Sequence, residues 1–342
     1  MKMFISTLTL ITFLLTGCVP SIYPSGAKTT AAHLDTLAFI TEDGARLPLR
    51  SWPTKEEPKA LIIAVHGFND YSRFFDKPAQ YFSERGIASF AYDQRGFGAA
   101  PKRGLWAGCA SYADDLLTLA RLVKERYPRS PLFLLGESMG GAVVMTAAKY
   151  DSTQLIDGII LAAPALWARK TMPWYQNGLL WILAHTTPWL RLTGKGVVKV
   201  TPSDNIEMLR ELGRDPWVIK GARVETLYGL ANLMDQAFNS ADSLTEDTLL
   251  LYGEKDDIIP KKPTYAFLQR FLKNGKPAVE AEEAEKTVAF YQQGYHMLLR
   301  DLQANKTWQD IAAWIDSRKV HLPSGADKRA EILLKPVLTS IN

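Results

Sequence analysis

The chain has 342 residues, of which 47% are hydrophobic and 22% charged, and its 40 basic and 36 acidic side chains give a formal net charge of +4. This is the composition of a globular protein that can bury a core, as one large domain or two ordinary ones. The small basic excess forms no long run and accompanies no nucleic-acid-binding motif, so we predict no nucleic-acid partner.

The first residues have the pattern of a secretory signal peptide. Lys2 provides a positive start, and the apolar stretch after it is too short to span a bilayer stably. The stretch ends at Leu15, Thr16, Gly17 and Cys18, which resembles the lipobox of bacterial lipoproteins, where the cysteine is acylated and becomes the first residue after cleavage. We therefore predict a signal peptide over 1–17 and lipid attachment at Cys18; an ordinary buried helix that ends at a chance cysteine is the alternative.

The residues after the cysteine bear on location. By the sorting rule of lipoproteins, Val19 in place of Asp points to the outer membrane, so the expected location is the bacterial cell envelope, facing the periplasm. Residues 18–34 contain several Pro, Ser and Thr and are predicted to be a tether. Cys109 is the second cysteine of the chain, so the mature protein has no intramolecular disulfide, and the absence of an adjacent histidine argues against a catalytic thiol there.

Predicted strands and helices alternate from about residue 35. An opening hairpin over 37–52 turns at Asp43 and Gly44, and the wholly apolar run 60–65 predicts a buried central strand. Further strands are predicted at 87–93, 132–136, 158–164, 248–253 and 287–291, and helices at 73–85, 112–127, 262–272 and 303–317. This alternation predicts an α/β fold with a mostly parallel sheet and helices on both faces.

The alternation stops between residues 166 and 243, where helical spacing continues without a central-strand run. We predict a helical cap over 166–243, inserted between two core segments, 35–165 and 244–318. Residues 319–342 have little pattern and are predicted to be a C-terminal tail.

The predicted cap is rich in tryptophan. Packing between cap and body explains any single one of these side chains, but together they exceed what a small cap needs. Trp174, Trp181 and Trp189 are therefore predicted to bind the acyl chain of a substrate, with contact to lipid as the alternative. The basic residues at the margin of the cap, such as Arg169 and Arg191, suit phosphate head groups and a solvated surface equally.

The apolar run from Leu132 stops at Gly136 and restarts after Ser138 as a helix-like segment. Gly136, Ser138 and Gly140 stand in the G-x-S-x-G spacing of a nucleophile elbow, a strand-turn-helix unit whose close packing favours glycine on both sides of a strained serine. Such a turn exposes the Ser138 hydroxyl and places the Met139 amide, at a helix N-terminus, beside it.

An acid and a histidine follow later strands in the order Ser138, Asp256, His296, which is the α/β-hydrolase order. The sequence resembles the α/β-hydrolase superfamily, and within it the bacterial lysophospholipase and monoacylglycerol lipase-like group. The segments that carry the resemblance are 66–68, 93–98, 136–141, 215–218, 253–260 and 295–298.

The resemblance implies the roles of five residues. Ser138 would be the nucleophile, His296 the base and then the acid, and Asp256 the residue that orients the histidine, while the amides of Phe68 and Met139 would form the oxyanion hole. His66 is an alternative base, but it precedes the serine and abuts a strand end, which favours a structural role. Asp257 is an alternative acid, and the G-x-x-D spacing of the family favours Asp256.

The function implied is hydrolysis of single-chain acylglycerols or lysophospholipids by a lipid-anchored serine esterase. A general carboxylesterase or peptidase on the same fold is an alternative, as is a non-catalytic envelope binding lipoprotein. The expected partners are a lipid or small ester substrate and, through the N-terminal anchor, the membrane. No group of His, Cys and carboxylate residues has metal-ligand spacing, so neither a metal nor another cofactor is expected.

Overall fold

A computed structural model describes residues 19–193, 200–273, 285–318 and 321–339. The predicted signal peptide and Cys18 lie outside the described residues.

A nine-stranded sheet forms the centre of the protein, in the spatial order β1-β2-β3-β5-β4-β6-β7-β10-β11. Its strands are β1 His33–Asp35, β2 Ala38–Ile40, β3 Arg46–Trp52, β4 Ala60–Val65, β5 Ile87–Tyr92, β6 Leu132–Glu137, β7 Gly158–Ala162, β10 Thr248–Gly253 and β11 Lys286–Tyr291. The first three strands pair antiparallel and β3 pairs antiparallel with β5, whereas the other six strands of the sheet run parallel to one another. The predicted α/β fold with a mostly parallel sheet is confirmed.

Helices cover both faces of the sheet. They are α1 Asp76–Ser83, α2 Cys109–Arg126, α3 Met139–Ala148, α4 Trp174–Thr186, α5 Ile206–Arg214, α6 Val224–Asn239, α7 Lys261–Lys273, α8 Ala304–Asp316 and α9 Ala326–Thr339. Phe82 of α1 and Trp314 of α8 pack in the apolar core of one face, whereas Leu116 of α2 and Phe267 of α7 belong to the core of the other. Strands with apolar side chains on both sides are stable only when covered in this way.

The central strands set the position of the site. Strands β4, β6, β7 and β10 are buried along their whole length. Their register aligns Val65 with Gly136 and Glu137 with Ala162, so their carboxyl ends meet at one edge of the sheet. In parallel α/β sheets the loops at this edge form the ligand site.

The segment predicted as a cap lies between β7 and β10. It contains α4, α5 and α6 and a short antiparallel pair, β8 Arg191–Leu192 and β9 Ala222–Arg223, that the sequence did not predict. Nowhere in the described ranges is a helix both long and apolar enough to cross a bilayer.

Two predictions about the ends of the chain are wrong. The C-terminal segment is not patternless, because it contains α9, whose Ala330 and Leu334 are buried in the core. The segment predicted as a tether is largely docked on the body: the Tyr23 amide donates to the Trp106 carbonyl at 2.8 Å, and the Thr29 amide donates to the Glu42 carbonyl at 2.8 Å. We call the docked residues 22–30 the N-terminal arm.

Candidate active site

Ser138 lies at the sharp turn between β6 and α3, with a φ of +55° that L residues rarely adopt. Its amide donates to the Ala162 carbonyl of β7 at 2.9 Å, which holds the turn against the next strand. A Cβ atom at Gly136 would lie 2.4 Å from the backbone of Gly140, and one at Gly140 would lie 2.0 Å from the Val65 carbonyl oxygen. The close approach of two strands and a helix therefore requires both glycines of the predicted elbow.

His296 connects Ser138 to Asp256. Its Nε2 atom lies 2.9 Å from Ser138 Oγ, and its Nδ1 atom lies 2.8 Å from Asp256 Oδ2. Because a carboxylate can only accept, Nδ1 carries the ring proton and Nε2 is left to accept from the serine hydroxyl. Three side chains that are distant in sequence thus form one hydrogen-bonded chain at the carboxyl edge of the sheet.

Two backbone amides fix the orientation of the acid. The amides of Ile258 and Ile259 donate to Asp256 Oδ1 at 2.8 and 2.9 Å, which leaves Oδ2 for His296. Asp256 is buried, whereas its neighbour Asp257 is exposed. The geometry therefore brings Asp256, and not Asp257, to the histidine.

The electrostatics of the site act on the pKa of His296. Burial alone would lower this pKa, because an imidazolium loses hydration in the interior. The charge and hydrogen bond of Asp256 and the charge of Glu137 outweigh burial and the opposing Arg300, so the pKa of His296 is raised above its ordinary 6.5. The ring is therefore a stronger base than free imidazole.

Two backbone amides adjoin the serine. Met139 is the first residue of α3, so its amide belongs to the positively polarised end of that helix. Phe68 follows Gly67, and a Cβ atom at Gly67 would lie 3.4 Å from Ser138 Cβ, so this loop is in contact with the serine. Among the described residues, neither amide has a hydrogen-bond acceptor, so both are available to an oxyanion.

His66 braces the loop that carries Phe68. Its Nε2 atom accepts from the Gln94 amide at 3.0 Å, its Nδ1 atom lies 2.8 Å from the Gly67 carbonyl, and the Gln94 side chain donates to the His66 carbonyl at 2.9 Å. Burial lowers the pKa of His66, so the ring is neutral with both nitrogens engaged. This geometry agrees with the structural role and not with a base for Ser138.

The cap is attached directly to the loops of the site. The Ile219 amide donates to the Asn69 carbonyl at 2.9 Å, in the loop after β4. The Met297 amide, in the loop that carries the histidine, donates to the Pro202 carbonyl at 3.0 Å. Backbone hydrogen bonds therefore join the cap to the loop after β4 and to the histidine loop.

An open cleft of about 860 Å³ lies between α5 and the segment that precedes α8. Asp70 and Arg300 line this cleft, but Ser138, His296 and Asp256 do not. The cleft therefore borders the loop after β4, and Ser138 does not line it.

The three tryptophans predicted to bind substrate lie on the surface of the cap. Trp174 is 85% exposed, Trp181 56% and Trp189 54%, and Trp181 stacks on His185 with ring centroids 4.4 Å apart. Such exposure does not fit the lining of an enclosed acyl pocket, and it is compatible with the alternative, contact of these amphipathic rings with lipid.

The remaining candidates have no place in the site. Cys109 begins α2, and burial raises the pKa of its thiol to about 11, so it is protonated at neutral pH. Of the residues that the structure describes, no three His, Cys, Asp or Glu side chains are grouped as metal ligands would be.

Asp70, Glu137 and Arg300 form a buried cluster next to the site that was not predicted from the sequence. Its signals were an acid directly before Ser138 and a base four residues after His296. In the sequence each looks like an ordinary surface charge, because the contact that pairs them is non-local.

The strand order and the strained turn at Ser138 define the chain as an α/β-hydrolase. The sequence profile of the serine aminopeptidase S33 family (Hydrolase_4) matches residues 56–303, and the chain belongs to this family.

The chain is similar to known lipases over most of its length. It is 27% identical to the monoglyceride lipase of Rattus norvegicus over 303 residues, covering 86% of this chain and 95% of that protein. It is 24% identical to the monoacylglycerol lipase of Mycolicibacterium smegmatis over 298 residues, covering 82% and 96%. The chain is therefore a hydrolase that resembles monoglyceride lipases.

Solved structures agree on the fold. A soluble variant of monoglyceride lipase from Saccharomyces cerevisiae, in complex with a substrate analog, superposes with a TM-score of 0.65 at 21% identity, covering 88% of this chain and 100% of that one. The monoacylglycerol lipase of Paleococcus ferrophilus superposes with a TM-score of 0.62 at 22% identity, covering 79% and 98%.

Proposed function

We propose that the chain is a serine ester hydrolase that cleaves single-chain acylglycerols or lysophospholipids through an acyl-enzyme at Ser138. The observation that carries this proposal is the hydrogen-bonded chain from Ser138 through His296 to Asp256, with contacts of 2.9 and 2.8 Å. The activities by which the rat and mycobacterial relatives are named support an acylglycerol ester as substrate.

The chemistry follows from the proton positions. Ser138 Oγ attacks the ester carbonyl carbon as its proton passes to His296 Nε2, and Asp256 stabilises the imidazolium. The carbonyl oxygen takes up the negative charge, which the Phe68 and Met139 amides would stabilise; loss of one such donor typically costs about 3 kcal/mol in the barrier. The imidazolium then protonates the leaving alcohol as the C–O bond breaks.

Deacylation repeats these steps with water as the nucleophile. His296 accepts a proton from water, the hydroxide adds to the acyl carbon, and the proton returns to Ser138 Oγ as the fatty acid leaves. The products are one free fatty acid and one alcohol, and no cofactor takes part.

The surface of the cap supports a lipid substrate. Helix α4 buries only Ala184 of its 13 residues. Trp174, Leu179, Trp181 and Ile182 are all exposed along it. Soluble proteins rarely expose a contiguous apolar patch without a partner or membrane to cover it. We infer that this face of the cap contacts the lipid phase that contains the substrate.

We further propose that Cys18 is acylated and that the protein is held at the outer membrane, facing the periplasm. The docked arm supports a short connection, because the Tyr23 amide already bonds to the Trp106 carbonyl at 2.8 Å. The loop that contains Trp106 also touches the cap, where Thr226 Oγ1 donates to the Gly104 carbonyl at 3.1 Å. A lipid on Cys18 would therefore hold the cap side of the protein near the bilayer.

The serine mechanism can be tested with a fluorophosphonate probe on protein that begins at residue 19, which retains the arm. The parent protein should be labelled and Ser138→Ala should not be. Ser240→Ala is the matched control, because that serine is buried and donates to the Ala237 carbonyl away from the site. A folded parent that takes up no probe would refute the enzyme proposal.

Substrate class needs a separate comparison. We expect kcat/KM to be higher for monoacylglycerol or lysophospholipid than for a short-chain p-nitrophenyl ester, and hydrolysis of an aminoacyl p-nitroanilide to be negligible. The last substrate matters because the family is described as a serine aminopeptidase. Preference for the anilide would favour a peptidase, and preference for short esters a general carboxylesterase.

The anchor can be tested by fractionation of cells that express the full chain. Cys18→Ser should move the protein from the membrane to the soluble fraction and abolish incorporation of labelled fatty acid. Cys109→Ser, the other cysteine, should change neither. Membrane retention and acyl labelling of the Cys18 variant would contradict the proposal.

A further inference from the structure

One buried guanidinium lies between two carboxylates beside Ser138, His296 and Asp256, the proposed catalytic triad. Arg300 Nη2 is 2.6 Å from Glu137 Oε1 and 2.7 Å from Asp70 Oδ2. All three side chains are buried. We call these three residues the Arg300 cluster.

Each member of the Arg300 cluster belongs to a segment that also contains one residue of the proposed mechanism. Glu137 is the last residue of β6 and directly precedes Ser138. Asp70 is two residues after Phe68, in the oxyanion loop. Arg300 is four residues after His296, in the loop that positions the base. The two ion pairs therefore link the nucleophile, the oxyanion amide and the histidine.

A purely stabilising role does not account for this arrangement. A buried ion pair loses hydration, and its attraction repays that loss only when the remaining polar atoms are also satisfied. Within the described chain, Arg300 Nε and Glu137 Oε2 have no hydrogen-bond partner. Joining strand β6 to the two loops through the Arg300 cluster thus costs more free energy than a contact with all its polar atoms satisfied.

A second buried arginine, Arg95, has the geometry expected of an ion-pair cluster that serves only to stabilise the fold. Arg95 also lies between two carboxylates, but it makes two hydrogen bonds to Asp43, both at 2.8 Å, and two to Asp115, at 2.6 and 2.9 Å. None of these three residues carries part of the proposed machinery. Arg95 therefore provides a matched control with the same charges and better satisfied geometry.

We propose that Arg300, Glu137 and Asp70 are positioning residues for the hydrolytic reaction, which set the placement of Ser138, the Phe68 amide and His296 relative to one another. This inference rests on the proposed function, because it assigns residues that act through the triad and touch no substrate.

The cluster also acts on the base through its charges. The charged groups that face His296 are Asp256, Glu137 and Arg300, and Arg300 is itself faced by Asp70. Glu137 raises the pKa of His296 and Arg300 lowers it. Removing the charge of Glu137 or that of Arg300 should therefore shift the midpoint of the acidic limb of the pH profile, and the two shifts should have opposite directions.

The test uses the full chain in detergent, with Glu137→Gln, Arg300→Gln, Arg300→Lys and the control Arg95→Lys. The pH dependence of kcat/KM for a soluble p-nitrophenyl ester and of fluorophosphonate labelling is measured for each. Glu137→Gln should shift the midpoint of the acidic limb to lower pH, and Arg300→Gln should shift it to higher pH. Both should lower kcat on the order of 10- to 100-fold, with KM changed much less, because the loss is in the alignment of reacting groups.

Conservative replacement separates positioning from folding. Arg300→Lys keeps a cation between the two carboxylates, so its midpoint should return towards that of the parent while kcat stays reduced. Arg95→Lys should lower thermal stability and leave the midpoint unchanged. If Arg300→Gln does not fold, Glu137→Gln and Asp70→Asn decide the question by the same measurements.

Unmoved midpoints and parent-like kcat in folded Glu137→Gln and Arg300→Gln would overturn the positioning role. Shifts in the same direction in both variants would overturn the charge effect and with it the proposed coupling to His296. An unlabelled parent would refute the proposed function itself, so the two failures are distinguishable.

Discussion

Ser138 holds a backbone conformation that costs a non-glycine residue on the order of 1–3 kcal/mol. The turn tolerates this cost because it is fixed on both sides: the Ser138 amide donates to Ala162, and the Ala165 amide donates to the Ser138 carbonyl, both at 2.9 Å. The hydroxyl is consequently held towards His296 before any substrate arrives.

The glycines around this turn give a first prediction. Gly140→Ala would place a Cβ atom 2.0 Å from the Val65 carbonyl oxygen, so we expect a loss of more than about 2 kcal/mol in the free energy of unfolding. Gly213→Ala, in helix α5, meets nothing within 4 Å and should stabilise by up to about 1 kcal/mol. Urea denaturation measures both, and equal effects would show that the close packing at the elbow is not what selects glycine.

A second prediction concerns pH. His296 must be neutral to accept the serine proton, so kcat/KM should rise with pH through the pKa of this residue and then level off. Because that pKa is raised, the midpoint of the acidic limb should lie above 6.5. The pH profile with a soluble ester tests this, with circular dichroism over the same range to confirm that the protein stays folded. A midpoint below 6.5 would mean that burial outweighs Asp256 and Glu137.

At the scale of elements, α9 closes the fold behind the acid loop. It packs beside β11, and Arg329 forms an ion pair with Glu254, which directly follows β10 and lies two residues before Asp256. The C-terminal helix therefore supports the loop that orients the histidine.

Leu334 of α9 provides the third prediction. It is 3% exposed, so Leu334→Ala should lower the free energy of unfolding by about 2–4 kcal/mol through lost burial and the cavity left behind. Ile332, on the same helix, is 66% exposed, and Ile332→Ala should change stability by less than about 0.5 kcal/mol. Similar midpoints for both variants in urea would indicate that α9 is not packed as described.

Elements with a local signal were predictable. The apolar runs of β4, β6 and β10 and the glycine spacing of the elbow are each visible within a few residues, and they led to the fold and to the Ser138, Asp256 and His296 arrangement. Helix α9 was not predicted because its buried positions include Ala330, whose small side chain gives little hydrophobic periodicity. The docking of the arm could not be predicted because its contacts are non-local: the Ser25 amide donates to Ser111 Oγ, and Lys28 forms an ion pair with Glu42.

At the scale of the whole molecule, the arm and the exposed apolar side chains of the cap belong to one side of the protein. The arm contacts the loop that contains Trp106, and the same loop contacts the cap. Apolar residues occur on most sides of α4, so its sequence does not indicate which face lies against the body, where Ala184 is buried and Leu180 half-buried. The tryptophans of the segment between β7 and β10 were therefore visible in the sequence, whereas the surface on which they lie was not.

A fourth prediction tests this surface directly. In protein that begins at residue 19, Trp174→Ala combined with Trp181→Ala should weaken binding to phosphatidylethanolamine and phosphatidylglycerol vesicles on the order of tenfold, because less apolar surface enters the lipid. kcat/KM for a soluble ester should be unchanged. Leu37→Ala combined with Ile332→Ala, two exposed apolar residues outside the cap, is the control. Equal vesicle binding by all three proteins would refute the membrane-facing cap.

The docked arm has a consequence for how such an enzyme would find its substrate. Tyr23, whose amide makes the first backbone hydrogen bond of the arm, lies five positions after Cys18, and fully extended this stretch spans only about 17 Å. With Cys18 acylated as proposed, the protein could not reach lipids in another membrane. Its encounters would be confined to two dimensions, so its rate would depend on the mole fraction of substrate diffusing laterally in its own leaflet and not on a bulk concentration.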